Sequence, residues 1–231
     1  MVLLEVIAMG VEDARAAERG GADRLELVRE IGVGGLTPEV EIFAAIRGAV
    51  GLPLRVMLRS NGGFGATEEE VELLCREAAA LRREGADQFV FGFLDGAGSL
   101  DRGAIEMLIA AVAPCPWTLH HAFDHAADMR REWEMALALP GIDCVLSGGI
   151  RGDLSAGLEL LCGRVDWQTE RVRWLAGGGM TLDYVAPLRA AGIERYHVGR
   201  AARFGQDWAH PVSEAAVRHW RAVLDGGGDG A

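Results

Sequence analysis

Along the 231 residues of the chain, short runs in which apolar and polar side chains alternate give way to longer runs in which apolar residues recur every three or four positions. The first pattern is that of a half-buried strand and the second that of an amphipathic helix. LLEVI at 3–7 is followed by VEDARAAER at 11–19, which the pair Gly20-Gly21 closes. The same alternation predicts further strands at 24–28, 54–59, 88–94, 117–122, 143–147, 171–176 and 195–199. It predicts helices at 39–50, 67–84, 101–113, 128–139, 153–162, 181–191 and 213–224. Thr37-Pro38 supplies an N-cap and a first helical residue for the second helix, and Thr67 with Glu70 a capping box for the third. Eight strand–helix units in strict alternation imply a parallel sheet with right-handed crossovers. At this length they imply closure, so the predicted fold is α/β, a single (β/α)8 TIM-type barrel over residues 1–225. An open doubly wound sheet is the alternative, but no strand runs into a GxGxxG that opens a helix. The last residues, GGGDGA at 226–231, read as a flexible Gly-rich tail.

The alternation also sorts side chains between the two faces of each strand. The outer face of a barrel strand packs on helices and has to be apolar, so the polar set faces the lumen. That set holds Glu5, Arg24, Glu26, Arg55, Arg59, Thr118, His120, Arg195 and His197. Glu5, Glu26, Arg59, His120 and His197 come from five different strands and are expected to converge in the C-terminal half of the barrel. Two glutamates and two histidines offer acids and bases near neutral pH, and Arg59 offers a fixed positive charge for a carboxylate or phosphate. The competing reading is a closed set of ion pairs that only fills the lumen. Convergence of unlike groups in a cleft favours a site. Asp95 and Asp124 fall just past strands four and five, where each serves equally well as a cap or turn residue. His121 is expected to point out of the barrel, and His125, His210 and His219 to lie on the surface.

Strand seven runs into Gly177-Gly178-Gly179 and strand eight into Gly199-Arg200. Barrels that take phosphorylated substrates often build the phosphate site from these two loops, where glycines let backbone N–H groups approach an anion. Gly177, Gly178, Gly179, Gly199 and Arg200 are therefore candidate phosphate-binding residues. The plainer alternative is that these glycines only make tight turns.

Composition narrows the partners. Acidic residues outnumber basic ones 34 to 23, for a net charge of −11. Such a surface repels phosphate backbones and anionic lipid, so neither nucleic acid nor a membrane is the expected main partner. An anionic small molecule would need a local positive site. The four cysteines, Cys75, Cys115, Cys144 and Cys162, show no metal-ligand spacing and read as reduced thiols; no metal site is predicted from them. The start, MVLLEVIAMGVEDA, lacks a basic segment and a long apolar run, and cytoplasmic residence is the expectation.

The motifs together resemble the CutC family. The resemblance runs from LLEVIAMG through DRLELV, GGLTPE, VMLRSNGG, GFLDGAGSLD, TLHHAFD and VLSGG to LAGGG, which is nearly the whole chain up to strand eight. It implies a single TIM-type barrel, a cytoplasmic homo-oligomer, and a link to copper homeostasis without an assigned reaction. Copper(I) is a cofactor by this resemblance only; the residues themselves name none. The positions that match the family pattern are Glu5, Glu26, Arg59, His120, Asp124 and His197. The chain departs from the pattern where many members carry paired cysteines, at Ile7 and Ala8, and thiolates are what select copper(I). It departs again at Ser60, Asn61, His121 and in His197-Val198-Gly199-Arg200. Two functions follow: a metal-handling protein, or an enzyme or binding protein for a small anionic metabolite at the barrel mouth.

Overall fold

A computed structural model describes residues 2–226, so beyond Gly226 the tail expected at 226–231 lies outside the described residues. The strands are β1 (Leu3–Ala8), β2 (Arg24–Leu27), β3 (Leu54–Met57), β4 (Phe89–Phe91), β5 (Trp117–Leu119), β6 (Ile142–Ser147), β7 (Arg173–Ala176) and β8 (Arg195–Val198). The helices between and after them are α1 (Val11–Gly20), α2 (Val40–Arg47), α3 (Glu68–Arg83), α4 (Arg102–Val112), α5 (Met129–Ala138), α6 (Leu154–Cys162), α7 (Val185–Ala190) and α8 (Glu214–Leu224). All neighbouring strands pair in parallel and β8 closes on β1, giving one (β/α)8 barrel.

The local chemistry explains the elements. Thr67 caps α3 through the N–H of Glu70 while the Glu70 carboxylate accepts the Thr67 N–H, completing the capping box. Asp101, Asp128, Asp153 and Ser213 cap α4, α5, α6 and α8 in the same way through their side-chain oxygens. Several boundaries differ from the sequence expectation, among them the strand expected at 88–94, which is only Phe89–Phe91. α2 starts one residue later than 39, because Thr37 turns its hydroxyl to the backbone of Arg59 rather than to the helix, and it ends at Arg47, with Gly48 as its C-cap. The strands expected at 54–59 and 117–122 end at Met57 and Leu119, where the chain turns into the mouth loops. The helix expected at 181–191 splits into a 3₁₀ turn, Leu182–Tyr184, and α7.

Outward residues such as Leu4, Val6, Leu25, Phe91, Trp117 and Trp174 are buried against the helices in one continuous core. The lumen is different. It holds a small apolar layer of Ile7, Val28, Met57 and Val90, and buried charges stand above and below it in place of the aliphatic layers that usually fill a barrel. In parallel pairs, residues in register share a face. Glu5 is in register with Arg24 on one side and His197 on the other, which is why these three side chains meet. Among the described residues, no helix is long and apolar enough to cross a membrane.

Candidate active site at the barrel mouth

The lumen charges fall into two tiers. In the lower tier Arg55, on β3, reaches across the barrel to Asp143 with two parallel hydrogen bonds of 2.8 and 2.5 Å, and donates to Thr118 at 2.7 Å. Arg195 donates to the Cys144 thiol at 2.9 Å. These groups satisfy one another and plug the bottom of the barrel. Arg24 joins the tiers. Its Nε donates to Glu5 Oε2 at 2.5 Å. Burial alone would raise the Glu5 pKa, but Arg24 and the bonded His197 outweigh it and hold the carboxyl down at about 2.

The upper tier is less settled electrically. His197 Nδ1 lies 2.8 Å from Glu5 Oε1, and its Nε2 lies 3.7 Å from Glu26 Oε2. Burial opposes charge on His197, yet Glu26 and Glu5 prevail and raise its pKa. Glu26 differs from Glu5 although both are buried glutamates. It makes no ion pair with an arginine; burial pushes its pKa up to about 7 against the pull of His197. Its Oε1 has no hydrogen-bond partner. His120 is also buried, and burial followed by repulsion from Arg59 drives its pKa well below the usual histidine value. Its Nδ1 accepts the N–H of Ala122 at 3.2 Å, so the proton of the neutral ring sits on Nε2. That atom also lacks a partner. A buried polar atom without a partner is costly and uncommon in native proteins. Here two such atoms belong to residues that line the same cavity, of about 560 Å³, at the C-terminal end of the strands.

The geometry reassigns several sequence expectations. Arg59 lines the cavity, but its guanidinium is already engaged. Its Nε donates to Gly63 O, Nη1 to the carbonyls of Val33, Gly34 and Gly35, and Nη2 to Gly62 O and Gly63 O. All of its donor atoms thus stitch the β2 loop to the β3 loop, and the expected grip on a ligand anion gives way to a framing role. Asp124 is buried beneath the rim, where it accepts from Ser147 Oγ at 2.5 Å, from Gly148 N at 2.7 Å and from His121 Nδ1 at 3.1 Å; it ties the β5 loop to the end of β6. Gly177 gives its N–H to Ser147 O, and the space a side chain would need there is filled by Leu146 and His197. The corresponding space at Gly199 is filled by the Trp208 ring. Gly177 is therefore a packing glycine, whereas Gly199, though packed against Trp208, lines the cavity with Gly178, Gly179 and Arg200.

His121 and His125, expected outside, line the cavity too, as does Arg151. The chain turns into a 3₁₀ segment, His121–His125, directly after His120, and strand periodicity stops applying there. Arg151 adopts φ +47° with its N–H on Asp124 O, a left-handed conformation that a non-glycine residue rarely takes. No sequence motif marks it.

The matching family model, described as the CutC family, spans residues 2–202. The chain belongs to the CutC family. A family protein CutC from Xylella fastidiosa is 38% identical over 215 residues, covering 90% of this chain and 79% of that one. A protein named copper homeostasis protein cutC homolog from Homo sapiens is 36% identical over 197 residues, covering 84% of this chain and 72% of that one. The crystal structure of a putative copper homeostasis protein CutC from Streptococcus agalactiae superposes with a TM-score of 0.79 at 25% identity, covering 86% of this chain and 98% of that one.

Copper(I) selects thiolate and thioether donors; the cavity lining carries the thioethers of Met57 and Met180 but, among the described residues, no cysteine. Cys75 and Cys162 sit outside on α3 and α6, each pointing its thiol at a backbone carbonyl. Cys144 lies among the arginines of the lower tier, and Cys115 lies between α4 and β5. The group of potential metal donors among the described residues is Glu5, Glu26 and His197. It offers oxygen and imidazole nitrogen, with Glu5 already held by Arg24. These residues do not fit a copper(I) thiolate centre.

Proposed function

We propose that the mouth is the active site of an enzyme that moves a proton on a small anionic metabolite bearing a carbonyl group. One observation carries this reading: Glu26 Oε1 and His120 Nε2 are buried and unpartnered, and their residues border one cavity. They are complementary in chemistry. A glutamate near pH 7 in pKa is poised both to take and to return a proton. A neutral imidazole N–H donates to an oxygen that gains negative charge without surrendering its own proton outright, a pairing that other barrel enzymes use for enolisation. In the step, the Glu26 carboxylate removes a proton from the carbon beside the carbonyl. The C–H electron pair becomes a C=C bond, the carbonyl π pair moves to oxygen, and His120 Nε2–H holds that oxygen. The proton then returns from Glu26 to carbon. Glu5 and His197 act through Glu26, keeping a positive imidazolium beside it when it ionises.

Copper handling is suggested by the names of the relatives, but the missing thiolate set argues for the metabolite reading here. The test is solvent exchange. Dihydroxyacetone phosphate and glycolaldehyde phosphate are incubated with the protein in deuterium oxide, and loss of the proton beside the carbonyl is followed by NMR. Exchange is expected to rise with pH through about 7 and to fall by roughly 10²–10⁴ in Glu26→Gln. Exchange no faster than the buffer blank for both compounds would overturn the proposal.

A further inference from the structure

Resting on that acid–base reading, we infer that the rim formed by the β6, β7 and β8 loops is a phosphoryl-binding subsite, built from Arg151, Arg200 and the backbone N–H groups of Gly178, Gly179 and Met180. The substrate is then a phosphorylated carbonyl compound. The first support is a reversal of charge. Across the chain acidic residues exceed basic ones by 34 to 23, yet the cavity lining holds Arg59, Arg151 and Arg200 and, as its one carboxylate among the described residues, Glu26. A concave site of one sign in a protein of the other concentrates oppositely charged ligands. Arg59 is already engaged with carbonyls, whereas Arg151 and Arg200 are exposed and carry no ion pair among the described residues.

The second support is that the cavity has two unlike sides. The β2 and β3 loops bring Ile31, Val33 and Phe64, which are apolar, and their one cation, Arg59, is engaged; the two unpaired arginines and the open backbone come from the β6 to β8 loops, beside Met180, Ala201 and Trp208. The N–H groups of Gly178, Gly179 and Met180 meet no acceptor among the described residues. Both glycines adopt φ +84°, which glycine tolerates without strain. The loop is held in place: Gly178 O accepts the N–H of Leu154 at 2.8 Å, and a side chain at Gly178 would lie 2.1 Å from Gly152 O. The β7 loop is therefore fixed against the β6 loop that carries Arg151, a preorganisation that favours binding. Independently of the loops, the unpartnered buried atoms of His120 and Glu26 mark the same cavity as a place where a ligand completes the hydrogen bonding. A phosphoryl group at the rim leaves the carbonyl end of a short metabolite to enter towards them.

Calorimetric titration of inorganic phosphate into the full chain, at matched ionic strength with chloride, tests the subsite. The expected result is saturable one-to-one binding, weakened at least roughly tenfold by Arg151→Gln and by Arg200→Gln and unchanged by Arg102→Gln, which removes an exposed arginine of α4 away from the mouth. No binding at tens of millimolar phosphate, or equal binding by the double variant R151Q/R200Q, would sink it. Exchange of dihydroxyacetone beside its phosphate ester separates the two proposals. If phosphate binds but neither compound exchanges, the subsite stands and the acid–base reading falls. If both exchange equally fast and phosphate does not bind, the reverse holds.

Discussion

Replacing Glu26 by glutamine should make the protein more stable, and increasingly so as pH rises. The carboxyl pKa goes from 4.5 to about 7 in the folded state. Between these values the folded protein holds a proton that the unfolded chain has released. The stability this proton contributes is fully present below pH 4.5 and is lost as pH climbs through about 7. A shift of this size corresponds to about 3 kcal/mol at about 1.4 kcal/mol per unit. The attraction between Glu26 and His197 is already contained in that value, because His197 pulls the Glu26 pKa down as Glu26 pulls the His197 pKa up. Glu5, held at about 2, loses its stabilising effect only as pH falls from about 4.5 towards 2 and affects both proteins alike. The assay is thermal unfolding of native and E26Q protein from pH 5 to pH 8. The gap in midpoint should open with pH by roughly 6–12 °C, taking about 2–4 °C per kcal/mol for a domain of this length. Parallel curves for the two proteins, with no widening gap, would refute the argument that Glu26 is buried with a proton it readily gives up.

Two further substitutions probe the mouth loops. Gly178→Ala should destabilise the fold by at least about 2 kcal/mol in urea unfolding, because the new carbon would strike Gly152 O; Gly179→Ala, with the same φ of +84° but open space around it, should cost only about 1 kcal/mol. Equal costs would show that backbone conformation alone governs both sites. Arg59→Lys should cost about 2–3 kcal/mol despite keeping the charge, since an ammonium cannot reproduce the fork that reaches carbonyls on two loops, and a loss under about 0.5 kcal/mol would mean the loops hold without it.

The two-tiered lumen has a physical logic. The lower tier pairs its charges at short range, and a buried pair of this kind is expensive to break once made. It gives the upper tier a fixed floor. In the upper tier one imidazole stands between two glutamates, and only Glu5 has an arginine. The second glutamate has only the imidazole beside it, and burial therefore keeps its proton on up to about pH 7.

How much of this was legible in the chain follows from what strand geometry fixes. Side chains alternate with period two wherever the backbone is extended, and an outer barrel face has to be apolar. Those two facts sufficed to put Glu5, Glu26, Arg55 and His197 in the lumen, while eight strand–helix units in a chain of this length implied closure into one barrel. His120 also reached the cavity as expected, although it lies just beyond the end of β5. Past the strand ends the rule lapses. His121, His125 and Arg151 enter the mouth by way of 3₁₀ and left-handed turns whose direction no periodicity encodes. The partners of Arg59 are carbonyls, which every residue carries, so no residue type announces them. The roles of Gly177 and Gly178 were equally hidden, because one is set by the His197 and Leu146 side chains behind it and the other by the backbone of the neighbouring loop. Above all, the sequence listed two glutamates as equals. Only the tertiary structure, by laying Arg24 against one and leaving the other to an imidazole, separated their pKa values from about 2 to about 7, since a buried carboxyl is governed by the charges within a few ångströms of it and those come from strands far apart in the chain.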